Sequence, residues 1–265
     1  MRHKKEIDHG SGYDWGQVSE EYAKYRDIYP PLFYQKITEM GLCLKGQAVL
    51  DLGTGTGVLP RNLYQYGAKF TGVDVSENQI AQARRLSQEA GMEIRYLVSS
   101  AEDIHFPEQS FDVVTACQCL MYFDLSVLVP KIHAILKDGG HFCVLFMAWL
   151  PEESAIAKKS EDLVLKYNPL WTGAGVRRAQ PTVPQWADGY FEPENVFAYD
   201  VSLPFTRESW HGRIKACRGV GASSMSGEEI TRFEAEHLAF LKTVPESFEI
   251  PHYVTVLNLR KRSAR

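Results

Sequence analysis

Val49-Leu50-Asp51-Leu52-Gly53-Thr54-Gly55-Thr56-Gly57 sets three alternate glycines directly behind a short apolar run that carries a carboxylate. Glycine tolerates positive φ and lets a ligand approach the backbone with no Cβ in the way, so a loop of this kind is suited to cradle a bound molecule. The spacing discriminates between ligands. A dinucleotide fingerprint reads G-x-G-x-x-G, whereas here the third glycine comes one residue early and Val58 follows it. Asp51 would repel a polyphosphate and would suit the ammonium of a methionine moiety. Asp74 lies about twenty residues further on, where a doubly wound sheet places the acid that accepts both hydroxyl hydrogens of an adenosine ribose.

These residues need strands and helices to hold them. Ala48 to Leu52 reads as a short buried strand, followed by a helix expected over about 57–66 and a second strand at 69–75. Ser76-Glu77-Asn78-Gln79 has capping-box spacing and opens a helix that runs to about residue 90, with Gly91 as its stop. Strands are expected near 94–98, at 111–117 and at 141–148, with a clear helix at 125–137 before Gly139-Gly140. Such alternation with short turns implies an α/β, doubly wound, mostly parallel sheet with right-handed crossovers. Upstream, 17–26 and 32–41 read as short helices broken by Pro30-Pro31. Downstream, a segment rich in proline and aromatic residues holds one good helix near 152–166. A strand at about 196–203, helices near 206–217 and 227–242 (the latter opened by Ser226-Gly227-Glu228-Glu229), and a closing strand at 252–260 then follow. The expected division is an N-terminal arm or lid at 1–44, a binding core at 45–148, an inserted cap at 149–195 and a C-terminal part of the sheet with substrate-side helices at 196–265.

Composition narrows the partners. The 265 residues carry 29 Lys and Arg against 33 Asp and Glu, a net charge of −4, with the basic residues scattered, so no nucleic-acid partner is expected. No run approaches the roughly 20 apolar residues of a membrane span, and the N-terminus lacks an apolar signal core, which points to a cytoplasmic protein with no membrane partner. Cys43, Cys117, Cys119, Cys143 and Cys217 form no CxxC pair, so neither a disulfide framework nor a metal site is expected.

Asp51-Leu52-Gly53-Thr54-Gly55-Thr56-Gly57, Gly72-Val73-Asp74-Val75-Ser76, Ser100-Ala101-Glu102-Asp103 and Phe111-Asp112-Val113-Val114 resemble, in order and spacing, the successive motifs of the seven-stranded, class I S-adenosylmethionine-dependent methyltransferases. The resemblance covers about residues 45–148. It implies a seven-stranded Rossmann-like sheet, S-adenosylmethionine as cofactor and methyl transfer as the activity. By the same resemblance Gly53, Thr54, Gly55 and Gly57 would line the methionine portion with Asp51, and Asp74 would hold the ribose. Val75 and Gln79 would flank the adenine, Ala101 and Glu102 would approach its edge, and Cys117 and Gln118 would sit beneath the sulfonium. Tyr22-Ala23-Lys24-Tyr25-Arg26 with Tyr29-Pro30, and Ala116-Cys117-Gln118-Cys119-Leu120-Met121-Tyr122-Phe123-Asp124, resemble the trans-aconitate and ubiquinone-biosynthesis type of small-molecule methyltransferase. That subgroup usually carries His-Trp where this chain has Met121-Tyr122, which separates it from any chemistry dependent on that histidine.

The implied partner is a small-molecule methyl acceptor with a carboxylate, hydroxyl or amine. Tyr22 and Arg26 are counted with the cofactor set and also face the acceptor. Tyr25, Tyr122 and His211 are candidates for catalysis, His211 because imidazole can take a proton near neutral pH. Trp210, Arg213 and Arg218 are candidates for holding the acceptor, Arg213 as a bidentate partner of a carboxylate. Each has an ordinary alternative as core, surface charge or satisfied polar group. The arm and the insertion would form a lid that excludes water, or equally a homodimer contact, since exposed aromatics also mark interfaces. A nucleotide-dependent oxidoreductase and a non-catalytic cofactor-binding regulator stay open as alternative functions.

Overall fold

A computed structural model describes residues 2–263. Seven strands form one sheet in the order β3-β2-β1-β4-β5-β7-β6. They are β1 (Ala48–Leu52), β2 (Lys69–Asp74), β3 (Arg95–Val98), β4 (Phe111–Cys117), β5 (Leu136–Trp149), β6 (Phe191–Thr206) and β7 (Ser247–Lys261). The first five pair in parallel, with Asp51 opposite Gly72 on one side and Thr115 on the other. The chain therefore winds outward from β1 through β2 to β3, then returns to β4 and winds the other way. This reversal puts the switch point between β1 and β4, where sheets of this class leave a crevice at the strand carboxyl ends.

The helices are α1 (Ser19–Tyr25), α2 (Pro31–Glu39), α3 (Val58–Leu63), α4 (Glu77–Glu89), α5 (Leu125–Ile135), α6 (Ala155–Tyr167), α7 (Arg207–Lys215) and α8 (Gly227–Leu241). Several boundaries depart from expectation; β6 and β7 begin at Phe191 and Ser247, ahead of the strands expected at about 196 and 252, and two helices end early. The helix expected over 57–66 keeps α geometry only to Leu63 and finishes as a 3-10 turn at Tyr64–Tyr66, capped by Gly67 with φ 85°. The helix expected over 125–137 ends at Ile135, and β5 begins at once with Leu136 opposite Phe111. The register then shifts, so that Val113 pairs with His141 and the Lys137-Asp138-Gly139-Gly140 segment bulges, Gly139 taking φ 73°. A glycine pair that resembles a turn is thus carried within a strand.

Two compact units share these elements. One comprises the chain up to Ile28 with Ala148–Ala179 and Asp200–Tyr253; the other comprises Tyr29–Met147, Gln180–Tyr199 and the chain from Val254 on. In the second unit the core packs Leu50, Leu52, Val73, Val114 and Ala116 of the strands against Leu128, Ile132 and Ile135 of α5. In the first, Asp14 N–H donates to the Ala222 carbonyl at 2.8 Å, and Asp8, buried, pairs with Arg218 and accepts from Thr172 N–H at 2.8 Å. No helix among the described residues is long and apolar enough to cross a membrane.

Candidate functional site

The glycine loop leaves β1 with Gly53, Gly55 and Gly57 at φ 59°, 56° and 74°. Left-handed backbone at three alternate positions is what L-residues with a Cβ resist, which accounts for the glycines. Space accounts for them too. A Cβ on Gly53 would lie 2.7 Å from Cys119 Cβ, and one on Gly57 would strike the Tyr96 hydroxyl. Thr54 N–H donates to the Val73 carbonyl at 2.9 Å and Gly57 N–H to the Thr54 carbonyl at 2.9 Å, so the loop is tied to β2 as well as to itself. Beneath it, Cys119 Sγ donates to the Leu52 carbonyl at 3.1 Å.

Two carboxylates flank the loop. Asp74 ends β2 and accepts Gly55 N–H on one oxygen at 2.9 Å and Ser76 N–H on the other at 2.8 Å. One carboxylate thereby fixes the loop and the start of α4 together. Asp51 is 2% exposed, and Thr115 donates to it at 2.6 Å. Burial pushes its carboxyl up from the ordinary 3.8 to about 6, against the pull of the Thr115 hydrogen bond, while the Asp74 charge adds to the rise. A buried carboxylate under that strain gains from a cation placed beside it. Thr56, fully buried, has no partner for its hydroxyl.

These features fit S-adenosylmethionine. The three glycines keep Cβ atoms off the loop backbone, the ammonium end would find Asp51, the ribose would find Asp74, and Val75, 38% exposed just past the end of β2, offers an apolar surface for the adenine. α3 has only six residues, and a carboxylate rather than a cation precedes the loop, so the site is poorly made for a pyrophosphate.

The remaining expected residues of this unit lie around the same carboxyl ends. Ala101 is buried in the core cluster, and Glu102 accepts Asp124 N–H at 2.8 Å on its side chain and Lys131 Nζ on its carbonyl. Gln79, whose alternative was a solvated surface position, is 1% exposed. Cys117 closes β4 and donates its thiol to the Tyr29 hydroxyl at 3.4 Å. Gln118 adopts φ 64°, donates N–H to the Leu145 carbonyl at 2.9 Å and sends Nε2 to the Met147 carbonyl. A non-glycine residue held there costs of order 1–3 kcal/mol and is retained when its surroundings require it. Tyr122 ends a 3-10 turn and packs half-buried against the core. Tyr199 was not singled out from the sequence, and Tyr29 entered only as part of the resemblance of the arm. Tyr199 buries its hydroxyl with no hydrogen-bond partner, and burial, with the nearby Cys117, pushes it up to about 12.

The first unit holds the other candidates in tightly packed settings. Arg26 lies over the rings of Tyr22 (4.6 Å) and Trp15 (5.5 Å). Tyr25 donates to Glu208 at 3.0 Å, and its ring fills the space beside Gly212 where a Cβ would stand. Trp210 is core, 0% exposed, with its indole N–H on Ser160 at 2.9 Å. Arg218 is occupied by Asp8, while Arg213, 6% exposed, lies 4.8 Å over the Trp149 ring. His211 sets its Nδ1 2.9 Å from Nδ1 of His237; burial lowers its proton affinity, Lys215 lowers it further and Glu234 opposes both.

Comparison with known proteins agrees with this geometry. A family model described as a methyltransferase domain matches residues 50–144. The ubiquinone biosynthesis O-methyltransferase of Pseudomonas entomophila (strain L48) is 32% identical over 161 residues, covering 60% of this chain and 68% of that protein. The protein of the same description from Pseudomonas syringae pv. tomato is 36% identical over 161 residues with the same coverage. The solved structure of the YcgJ protein of Bacillus subtilis superposes with a TM-score of 0.54 at 20% identity, covering 87% of this chain and 98% of that one, a likeness of fold. The oxidoreductase and regulator alternatives give way to these relatives, and with them S-adenosylmethionine is assigned as cofactor. The chain belongs to the seven-stranded, class I S-adenosylmethionine-dependent methyltransferases.

Proposed function

We propose that the chain methylates a small molecule, and that the atom receiving the methyl group is oxygen. The observation that carries this reading is the pair of relatives at 32% and 36% identity, both described as O-methyltransferases of ubiquinone biosynthesis. The even charge balance supports it, since a nucleic-acid acceptor calls for a basic face. The five free cysteines suit a reducing compartment, and we place the protein in the cytoplasm on that ground.

Bound S-adenosylmethionine supplies a methyl carbon that is already strongly electrophilic. The protein's work is then to position and to dehydrate. In this reading Asp51 balances the ammonium, Gly53, Thr54, Gly55 and Gly57 shape the bed of the methionine portion, and Asp74 accepts from the ribose hydroxyls. Val75, Gln79, Ala101 and Glu102 bound the adenine. Cys117 and Gln118, held by Tyr29 and by the Leu145 and Met147 carbonyls, form the floor at the end of β4. Tyr22, Tyr25, Arg26, Tyr122, His211, Trp210, Arg213 and Arg218 are proposed for the acceptor side, and among them Arg213 has the charge and the burial to hold an anionic group. The arm and the segment after β5 would serve as the lid, with a homodimer contact as the second use of their aromatics.

The test is transfer from methyl-labelled S-adenosylmethionine to a panel of phenols, alcohols and carboxylic acids, with bulk protein and RNA as controls. Label in an extracted small-molecule ether or ester is the expected result. Label confined to protein or RNA would refute the reading.

A further inference from the structure

Within the first unit α7 packs against α1 and α8, and a line of polar side chains runs from α6 through α8 to α7. Its inner end is Ser160, 0% exposed. The hydroxyl donates to the Ile156 carbonyl at 2.8 Å, because a carbonyl only accepts, and it takes the Trp210 indole N–H at 2.9 Å. With its one proton spent, Ser160 accepts from His237 Nε2, 3.0 Å away. His237 is fully buried and is therefore the Nε2–H tautomer, so its bare Nδ1 accepts from His211 Nδ1–H across 2.9 Å. His211 Nε2 is the outer end of the line, on a side chain 13% exposed. A proton from solvent can enter there without breaking any bond in the line.

The charges that face this nitrogen are one proton short of balance. Glu234 Oε1 on α8 stands 3.9 Å from His211 Nε2, beyond hydrogen-bond reach, and is held instead by Lys215 Nζ at 2.7 Å. Lys215 also stands 3.6 Å from Glu21 Oε1 on α1. Two carboxylates thus share one ammonium. Lys24 and Glu208, which also join α1 to α7, pair with each other at 3.1 Å, and Tyr25 donates to Glu208 at 3.0 Å. Arg213 lies round the helix, over Trp149. Burial holds His211 below the ordinary 6.5, with Glu234 raising it and Lys215 lowering it, so the ring is uncharged at physiological pH. A proton on Nε2 turns this end into a donor aimed at Glu234 and sets a second positive charge beside Lys215. Like charges repel, and Glu21 is the second carboxylate within reach of the ammonium.

We propose that proton uptake at His211 Nε2 exchanges ion-pair partners: Glu234 passes from Lys215 to the imidazolium and Lys215 passes to Glu21, so that α8 keeps a bridge to α7 while α1 gains one. The fold thereby carries an acid-operated clamp on α1, the first helix of the N-terminal arm. This conformational role is separate from any contact of His211 with an acceptor.

Nitrogen-labelled histidine in the full-length protein reads both rings through an acid titration. His211 is expected to pass from the Nδ1–H tautomer to the imidazolium below the ordinary 6.5, while His237 stays neutral with its proton on Nε2. Glu21→Gln is expected to lower the proton affinity of His211 about threefold and Lys215→Met to raise it by a similar factor. Glu21→Gln placed on Lys215→Met is expected to have little further effect, since Glu21 acts through Lys215. Both altered side chains are partly exposed, 34% and 30%, and thermal melts on the same samples report that each variant is folded. In the unaltered chain the Glu21 carboxyl carbon resonance is expected to move with the His211 midpoint, a reading that needs no variant. His211 staying uncharged until the protein unfolds, or titration at His237 in its place, overturns the exchange. So does a Glu21 resonance indifferent to His211, or a Glu21→Gln effect that is absent or equally large without Lys215.

Discussion

Asp51 is the residue whose chemistry is most exposed to test. Its carboxyl binds a proton more tightly in the fold than in the unfolded chain, rising from 3.8 to about 6. By linkage the folded state is favoured below the lower value, and this advantage is lost as pH rises through about 6, a destabilisation of about 3 kcal/mol at neutral pH for the cofactor-free protein. Asp51→Asn should therefore raise the melting temperature at pH 8 and have little effect at pH 4, while weakening S-adenosylmethionine at pH 8 because the ammonium loses its partner. A melting difference independent of pH would refute this. Asp51 and Asp74 were legible because both sit inside contiguous motifs with the glycines. Tyr199 was not, since a lone tyrosine in a strand has no spacing signal, and its buried hydroxyl near Cys117 is set by the fold.

At the scale of elements, the glycine loop and the helix caps were readable because local backbone geometry demands particular residues. Gly57→Ala places a Cβ against the Tyr96 hydroxyl at φ 74° and should cost about 2 kcal/mol or more in urea unfolding, from backbone strain of about 1–2 kcal/mol and the added clash, with loss of cofactor binding. Ser226 and Glu229 form a reciprocal capping box at the start of α8, as their spacing implied. Ser226→Ala should cost about 1 kcal/mol by the same measurement and leave cofactor affinity unchanged. The start of β5 was illegible for the opposite reason. Lys137-Asp138-Gly139-Gly140 has the composition of a turn, and only pairing of Leu136 with Phe111 across the bulge reveals it as strand.

Across the whole molecule, alternation of strand and helix sufficed for the sheet, because right-handed crossovers leave few ways to order parallel strands. The division into two units could not be read, since it depends on pairs remote in sequence. Asp8 and Arg218 are the plainest case, a buried ion pair that ties the N-terminal arm within its unit. Asp8→Ala would remove a buried carboxylate from the Arg218 guanidinium and should cost about 3 kcal/mol in denaturant unfolding, whereas a loss below about 1 kcal/mol would mean the pair is dispensable. The central claim concerns the intact chain and its cofactor. Calorimetric titration with S-adenosylmethionine, run beside NAD and repeated on Asp74→Ala, tests it most directly. Binding of S-adenosylmethionine alone, weakened at least tenfold (about 1.4 kcal/mol) by the substitution, is the expected result. Binding of NAD instead, or S-adenosylmethionine affinity indifferent to Asp74, would contradict the account.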